Sequence, residues 1–168
     1  MNAYRIYKHI YRILDNATPI GADCGKLCGK RCCESTDEET GMYLFPCEEV
    51  MYQASNKWLK LEESDFICGS KRVLIAFCDG RCDRHLRPLS CRIFPFVMRN
   101  GRIVIDNRAK GICPIARHLR LKDFDRDFYY AVKRVYNILW KFKQGREYIN
   151  RTSMLLDEFE ELKNKLGR

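Results

Sequence analysis

Cys24, Cys28, Cys32 and Cys33 put four thiols into ten residues, on a backbone hinged at Gly25 and Gly29. Such a segment has little apolar surface to bury, so something other than packing must offset the entropy of ordering it. The choices are disulfides or a metal. A thiol at every fourth residue, with glycine between, lets one short stretch turn several sulfurs toward one centre, which favours metal. Cys32 and Cys33 are adjacent and could bridge each other only through a strained ring. As thiolates they can point to different ions, or one can ligate while the other stands behind it. A disulfide scaffold remains the alternative, because the ten cysteines are an even number.

Residues 1–16 mix Arg5, Lys8 and Arg12 into their apolar side chains, which gives no secretory core, and no run of eighteen apolar residues follows. The expectation is therefore a cytoplasmic chain with reduced thiols and no membrane span. At 168 residues and 46% hydrophobic, it suits a single domain over 1–168. Its formal charge of +9 is uneven: residues 71–120 hold twelve Lys/Arg against three Asp/Glu, and the rest balances. That block also carries Cys78, Cys82, Cys91 and Cys113. Four thiolates around a divalent ion leave net negative charge, which Arg81, Arg87 and Arg92 are placed to compensate. Of these, Arg87 and Arg92 bracket Cys91, and at least one guanidinium is expected to turn inward and donate to a ligand sulfur or a backbone carbonyl of the cysteine loop. The surplus would suit a polyanion, but no recognised nucleic-acid-binding motif accompanies it.

Along the chain, Tyr4, Tyr7, Ile10, Tyr11 and Leu14 mark an amphipathic N-terminal helix that ends near Asp15. Glu34 to Glu39 reads as a solvated acidic excursion, and Met42 to Phe45 as a short extended piece. Pro46 suits a first helical position, with Glu48 and Glu49 complementing the dipole of a helix running to about Asn56. Glu62-Glu63 reads as helix-surface charge. Val73 to Phe77 is β-rich, and Phe96 to Ile105 is the best hairpin signal, with Asn100-Gly101 as a type I′ turn. Asp123 is expected to start a long helix carrying Phe124, Phe128, Val132, Val135, Leu139 and Phe142 as a core face, with Gly145 as its stop. A final helix then starts near Ser153. The fold expected is α+β, small and helix-dominated: a metal-stapled, cysteine-rich centre with a β-hairpin, wrapped by N- and C-terminal helices. In it a cysteine-cluster region, 17–115, is covered by a helical part, 117–168.

A second stretch, Cys78-Asp-Gly-Arg-Cys82 followed by Arg87-Pro88-Leu-Ser-Cys91-Arg92-Ile-Phe94-Pro95, completes a pattern. Together with the first loop and Gly41-Met42-Tyr-Leu44-Phe-Pro46, it resembles the bacterial YkgJ-type cysteine-cluster family, described as a zinc- or iron-chelating domain. The resemblance spans about 17–115. It implies a cytoplasmic bacterial protein with a cysteine-held metal, and distant kinship to flagellin N-methylases. Matched residue by residue, it implies the ligand set Cys24, Cys28, Cys32, Cys33, Cys78, Cys82, Cys91 and Cys113. Cys47, where the family pattern has Gly, and Cys68 fall outside it and read as small hydrophobes. Eight candidates exceed one tetrahedral site, so two zinc sites or an iron–sulfur cluster with extra thiols are both open. The scarcity of histidine tilts the choice toward iron–sulfur. His85 is the one substitute ligand; His9 and His118 sit in helical contexts.

No GxSxG, Walker A or GxGxxG motif occurs, which removes the common hydrolase, phosphate-loop and dinucleotide readings. Three functions are weighed. The first is a metalloprotein with a structural or redox centre and no assigned reaction. The second, on the kinship above, is an S-adenosylmethionine-dependent protein-lysine methylase or subunit, against which stand the short chain and the lack of a nucleotide-binding unit. The third is a basic nucleic-acid-binding module, and a protein partner stays open.

Overall fold

A computed structural model describes residues 2–33, 41–52, 57–78, 80 and 84–167. The first helix, α1 (Ala3–Leu14), buries Tyr7, Ile10, Tyr11 and Leu14 of the predicted stripe and leaves Tyr4 exposed. The cysteine loop follows as a one-turn helix, α2 (Cys24–Cys28), and a 3-10 turn at Arg31–Cys33. Three antiparallel strands come next: β1 (Met42–Tyr43), β2 (Leu59–Cys68) and β3 (Lys71–Cys78), in the order β1-β3-β2. A short helix, α3 (Leu89–Ile93), leads into the hairpin β4 (Phe96–Arg99) and β5 (Arg102–Ile105). Two one-turn helices, α4 (Ala109–Ile112) and α5 (Pro114–His118), meet at Cys113. The chain ends in α6 (Arg126–Leu139) and α7 (Lys143–Leu166). It is thus α+β, dominated by helix, with two small sheets.

One main core unites α1, the hairpin, α6 and α7. Tyr7, Ile10 and Leu14 join Phe128, Val132, Val135 and Leu139, with Phe96 and Met98 from β4 and Tyr148 and Ile149 from α7. The Phe96 ring centre lies 4.9 Å from that of Phe124 and 5.2 Å from that of Phe128. Each such side chain contributes about 1.5–3 kcal/mol by leaving water. The hairpin turns at Asn100 and Gly101, with φ of 50° and 75°, the left-handed pair that a type I′ turn requires. Ser153 Oγ accepts from Asn100 N at 3.0 Å and donates to Asn100 Oδ1 at 3.1 Å, which fastens that turn to α7. No helix among the described residues is long and apolar enough to cross a membrane.

Several local expectations are corrected. Glu62 and Glu63 lie in β2, where the strand pairs with Ile75 and Leu74 of β3, so their charge decorates a strand. The helix expected from Pro46 shortens to a 3-10 turn, Glu48–Met51, because Cys47 takes a left-handed φ of 67° just before it. Residues 53–56 of that expected helix lie outside the described residues. Glu48 is fully buried rather than solvated: its carboxylate accepts from Tyr11 Oη at 2.6 Å, Leu89 N at 2.6 Å and Phe45 N at 2.9 Å. Asp123 ends a separate 3-10 turn, and Asp125 caps α6 through Phe128 N at 2.8 Å. Gly145 is not a stop. It sits inside α7 because the Leu139 carbonyl at the end of α6 presses where a Cβ would be, so only glycine admits so tight a turn between the helices. The final helix therefore starts at Lys143, not near Ser153.

Candidate metal centre

The cysteine loop owes its shape to local bonds. Asp23 caps α2, its Oδ1 accepting from Gly25 N at 3.1 Å, and Gly29 ends the turn with φ of 64°. Lys30 N then donates to Gly25 O at 3.0 Å, and Cys33 N to Lys30 O at 2.6 Å. This winding turns Cys24, Cys28 and Cys32 toward one side. There they line a cavity of about 20 Å³ shared with Cys113, Pro19, Phe94, Pro95 and Ile115. Cys113 comes from far along the chain. It is 8% exposed and packed with Ala109 and Ala116, and its Sγ accepts from Ala116 N at 3.4 Å.

The electrostatics agree with thiols crowded together. Burial raises the Cys24 thiol above its ordinary range, and neighbouring Cys28, Cys113 and Asp23 push the same way, while Arg84 opposes them. Cys32 is raised further by its contact with Cys33, Sγ to Sγ at 4.0 Å, and then by burial and by Cys24 and Cys28. Among the described residues Arg84 is thus a guanidinium that acts on Cys24, although the sequence pointed to Arg81, Arg87 and Arg92. It is anchored by donating to Ala17 O at 2.6 Å. Only its spacing two residues beyond Cys82 hinted at this place.

Arg92 turns inward, with its side chain 3% exposed, but onto α1 and the Arg84 carbonyl rather than onto a sulfur or carbonyl of the cysteine loop. It donates to Tyr11 O at 2.8 Å, Asp15 Oδ1 at 2.8 Å and Arg84 O at 3.3 Å, and its guanidinium stacks 4.5 Å from the centre of the Tyr11 ring. It therefore clamps the second cysteine stretch onto the end of α1. Arg87 stands near enough to Arg84 to disfavour its charge. His85 Nδ1 lies 3.3 Å from Asp15 Oδ1.

The remaining members of the expected ligand set are dispersed over neighbouring elements. Cys78 ends β3 and packs beside Leu44, Leu59 and Ala76, with Tyr52 at the same cluster. Cys91 lies in α3, close enough to Tyr52 to raise that phenol further above its ordinary range, after burial and Glu48. Gly80, with φ of 76°, passes so near Cys33 that an added Cβ would lie 3.1 Å from its carbonyl oxygen. Cys82 and Arg81 lie outside the described residues. Cys47 and Cys68 line a different cavity, of about 290 Å³, bounded by β3 and the start of α7.

Four cysteines line one small cavity, a donor set whose chemistry fits a thiophilic ion. Even so, among the described residues no group of three or more His, Cys, Asp or Glu side chains is gathered at metal-holding geometry. Cys24, Cys28, Cys32, Cys47, Cys68 and Cys113 carry free thiols. No protein-family model, no curated protein and no solved structure matches the chain, so its function must be argued from these thiols.

Proposed function

We propose that the protein is a thiolate metalloprotein in which Cys24, Cys28, Cys32 and Cys113 hold one metal ion. The observation that carries this reading is that four cysteines, three from one loop and one from ninety residues on, line a single small cavity. The cavity has room for about one ion or water rather than a multi-atom cluster, which supports a mononuclear site of zinc type. When bound, the ion supplies a fourfold cross-link between a loop with little core of its own and the α4–α5 junction. Arg84 beside Cys24 offsets part of the thiolate charge.

Cys33, Cys78, Cys82 and Cys91 form the second set in this reading. It is supported by the passage of Gly80 against Cys33 and by the shared proximity of Cys78 and Cys91 to Tyr52. The vicinal pair Cys32-Cys33 then serves two centres. The resemblance of both cysteine stretches to the YkgJ-type family supports the same conclusion.

Elemental analysis of anaerobically purified protein tests it. Two metal ions per chain are expected, falling to one in Cys24→Ser/Cys113→Ser and to one in Cys78→Ser/Cys91→Ser. Iron with inorganic sulfide and visible absorption would replace zinc by a cluster. Metal-free protein with every thiol reduced would overturn the proposal.

A further inference from the structure

The Phe94–Pro95 wall of the thiol cavity has a second side. It closes a cavity of about 230 Å³ that reaches from β1 across to α7. The lining is mainly aromatic and aliphatic, with Tyr43, Phe45, Phe96, Tyr148 and Leu155 among its walls. Besides Ser90 and the hydroxyls of Tyr43, Tyr136 and Tyr148, three polar features interrupt it. Thr152 Oγ1 is buried and makes no hydrogen bond of ordinary geometry among the described residues, although the Tyr148 phenol lies beside it. Asp106 and Arg108 stand at the edge and pair with each other: Arg108 Nε donates to Oδ1 at 3.0 Å and to Oδ2 at 3.1 Å, and Nη2 to Oδ2 at 2.7 Å. Asp106 Oδ1 also accepts from Arg108 N at 2.9 Å, so its carboxylate is saturated.

These features select a ligand class. The cavity is smaller than the 300–1,000 Å³ typical of drug-sized sites, which limits the guest to one or two rings. The one ion pair among its described lining residues is neutral overall, so a charged guest would lose its hydration without gaining a net counter-charge. A flat apolar body suits the aromatic walls, and one hydrogen-bonding group would give Thr152 Oγ1 a better-aligned partner than the Tyr148 phenol. We propose that this cavity binds a small, uncharged aromatic molecule carrying one hydrogen-bonding group, of phenol or indole type, which its ring-lined walls enclose and Thr152 orients.

The inference does not depend on the thiols holding metal. Its test is an NMR titration of the full chain with 4-methylphenol, compared with toluene, benzoate and benzylammonium. 4-Methylphenol is expected to bind saturably, about fivefold tighter than toluene for its hydrogen bond, and about tenfold or more tighter than either ion. Thr152→Val, nearly isosteric, should bring 4-methylphenol down to the level of toluene. Leu155→Trp should fill the cavity and abolish binding of both, with metal content unchanged. Should Leu155→Trp fail to fold, the Thr152→Val comparison decides alone. Benzoate or benzylammonium binding as tightly as 4-methylphenol, or a phenol–toluene difference untouched by Thr152→Val, would overturn the assignment. So would the absence of saturable 4-methylphenol binding.

Discussion

The hairpin at residues 96–105 and the cysteine loop at residues 24–33 are of equal length and are held in opposite ways. In the hairpin, Phe96, Val97, Met98 and Ile103 are buried, and the turn is stitched to α7 through Ser153. Arg99 adds an ion pair of 2.6 Å to Asp157. In the cysteine loop no residue is buried, and its single large apolar side chain, Leu27, is 73% exposed. Its hydrogen bonds are short-range, from Asp23 to Gly25 and from Gly25 to Lys30. A segment that buries apolar side chains is ordered by the rest of the protein. One that cannot is, on the function proposed above, ordered by what its sulfurs bind.

The largest effect should come from emptying the hairpin's place in the core. Phe96 is 3% exposed and touches both Phe124 and Phe128. Phe96→Ala should cost about 3–5 kcal/mol in urea unfolding, whereas Leu27→Ala should stay within about 0.5 kcal/mol. Equal costs for the two would end the contrast between the regions.

Stripping metal probes the other region. With a thiol-competing chelator, residues 24–33 should become cleavable by protease about tenfold faster. Hydrogen exchange in β4 and β5 should stay protected, and the loss of global stability should be smaller than for Phe96→Ala. Loss of both regions together would mean that the thiols hold the whole fold, and unchanged proteolysis would separate the loop's order from metal.

A middling effect is expected where the hairpin meets α7. Ser153→Ala removes the acceptor of Asn100 N and the donor to Asn100 Oδ1 in a buried place, and should cost about 1–2 kcal/mol. A neutral result would mean that packing alone places the turn.

How far the sequence announced these regions follows from the same physics. The Tyr7-Ile10-Leu14 and Phe128-Val132-Val135-Leu139 stripes and the Asn100-Gly101 turn are periodic or chemically specific, so α1, most of α6 and the hairpin could be read directly. The spacing of Cys24, Cys28 and Cys32 announced that one loop can turn three sulfurs together. It could not announce Cys113 as the fourth side of that cavity, because the α4–α5 junction arrives there through tertiary packing. Arg84 and Glu48 were illegible for a related reason. Nothing local marks Arg84 as a cation acting on Cys24, and Glu48 looks like any surface glutamate until Tyr11 and Leu89 close over it from about forty residues away. Strand β2 was missed because Glu62, Glu63 and Ser64 dilute its apolar alternation, and its pairing with β3 supplies the order that its own pattern lacks. Gly145 misled because the usual meaning of a glycine after a helix is an end, whereas here it permits a close approach.

The smallest effect lies where the two regions are joined. Asp15, at the end of α1, bonds Arg92 at 2.8 Å from the second cysteine stretch and lies 3.3 Å from His85. Partial burial works to raise its carboxyl, but the bonds to Arg92 and His85 and their charges hold it below its ordinary value. A lowered folded-state value stabilises the protein above the unfolded carboxyl's range near pH 4 and loses that contribution as pH falls through the folded value. The Asp15 side chain is 35% exposed, so solvent screening keeps the gain to about 0.5–1 kcal/mol. Asp15→Asn should therefore cost about that much at pH 6, and the gap to the wild type should close as the urea unfolding series is taken down to about pH 2–3. The absence of a gap at pH 6 would mean that Arg92 is held by the Tyr11 carbonyl and ring rather than by charge. The joint between core and cysteine stretch would then be one of shape.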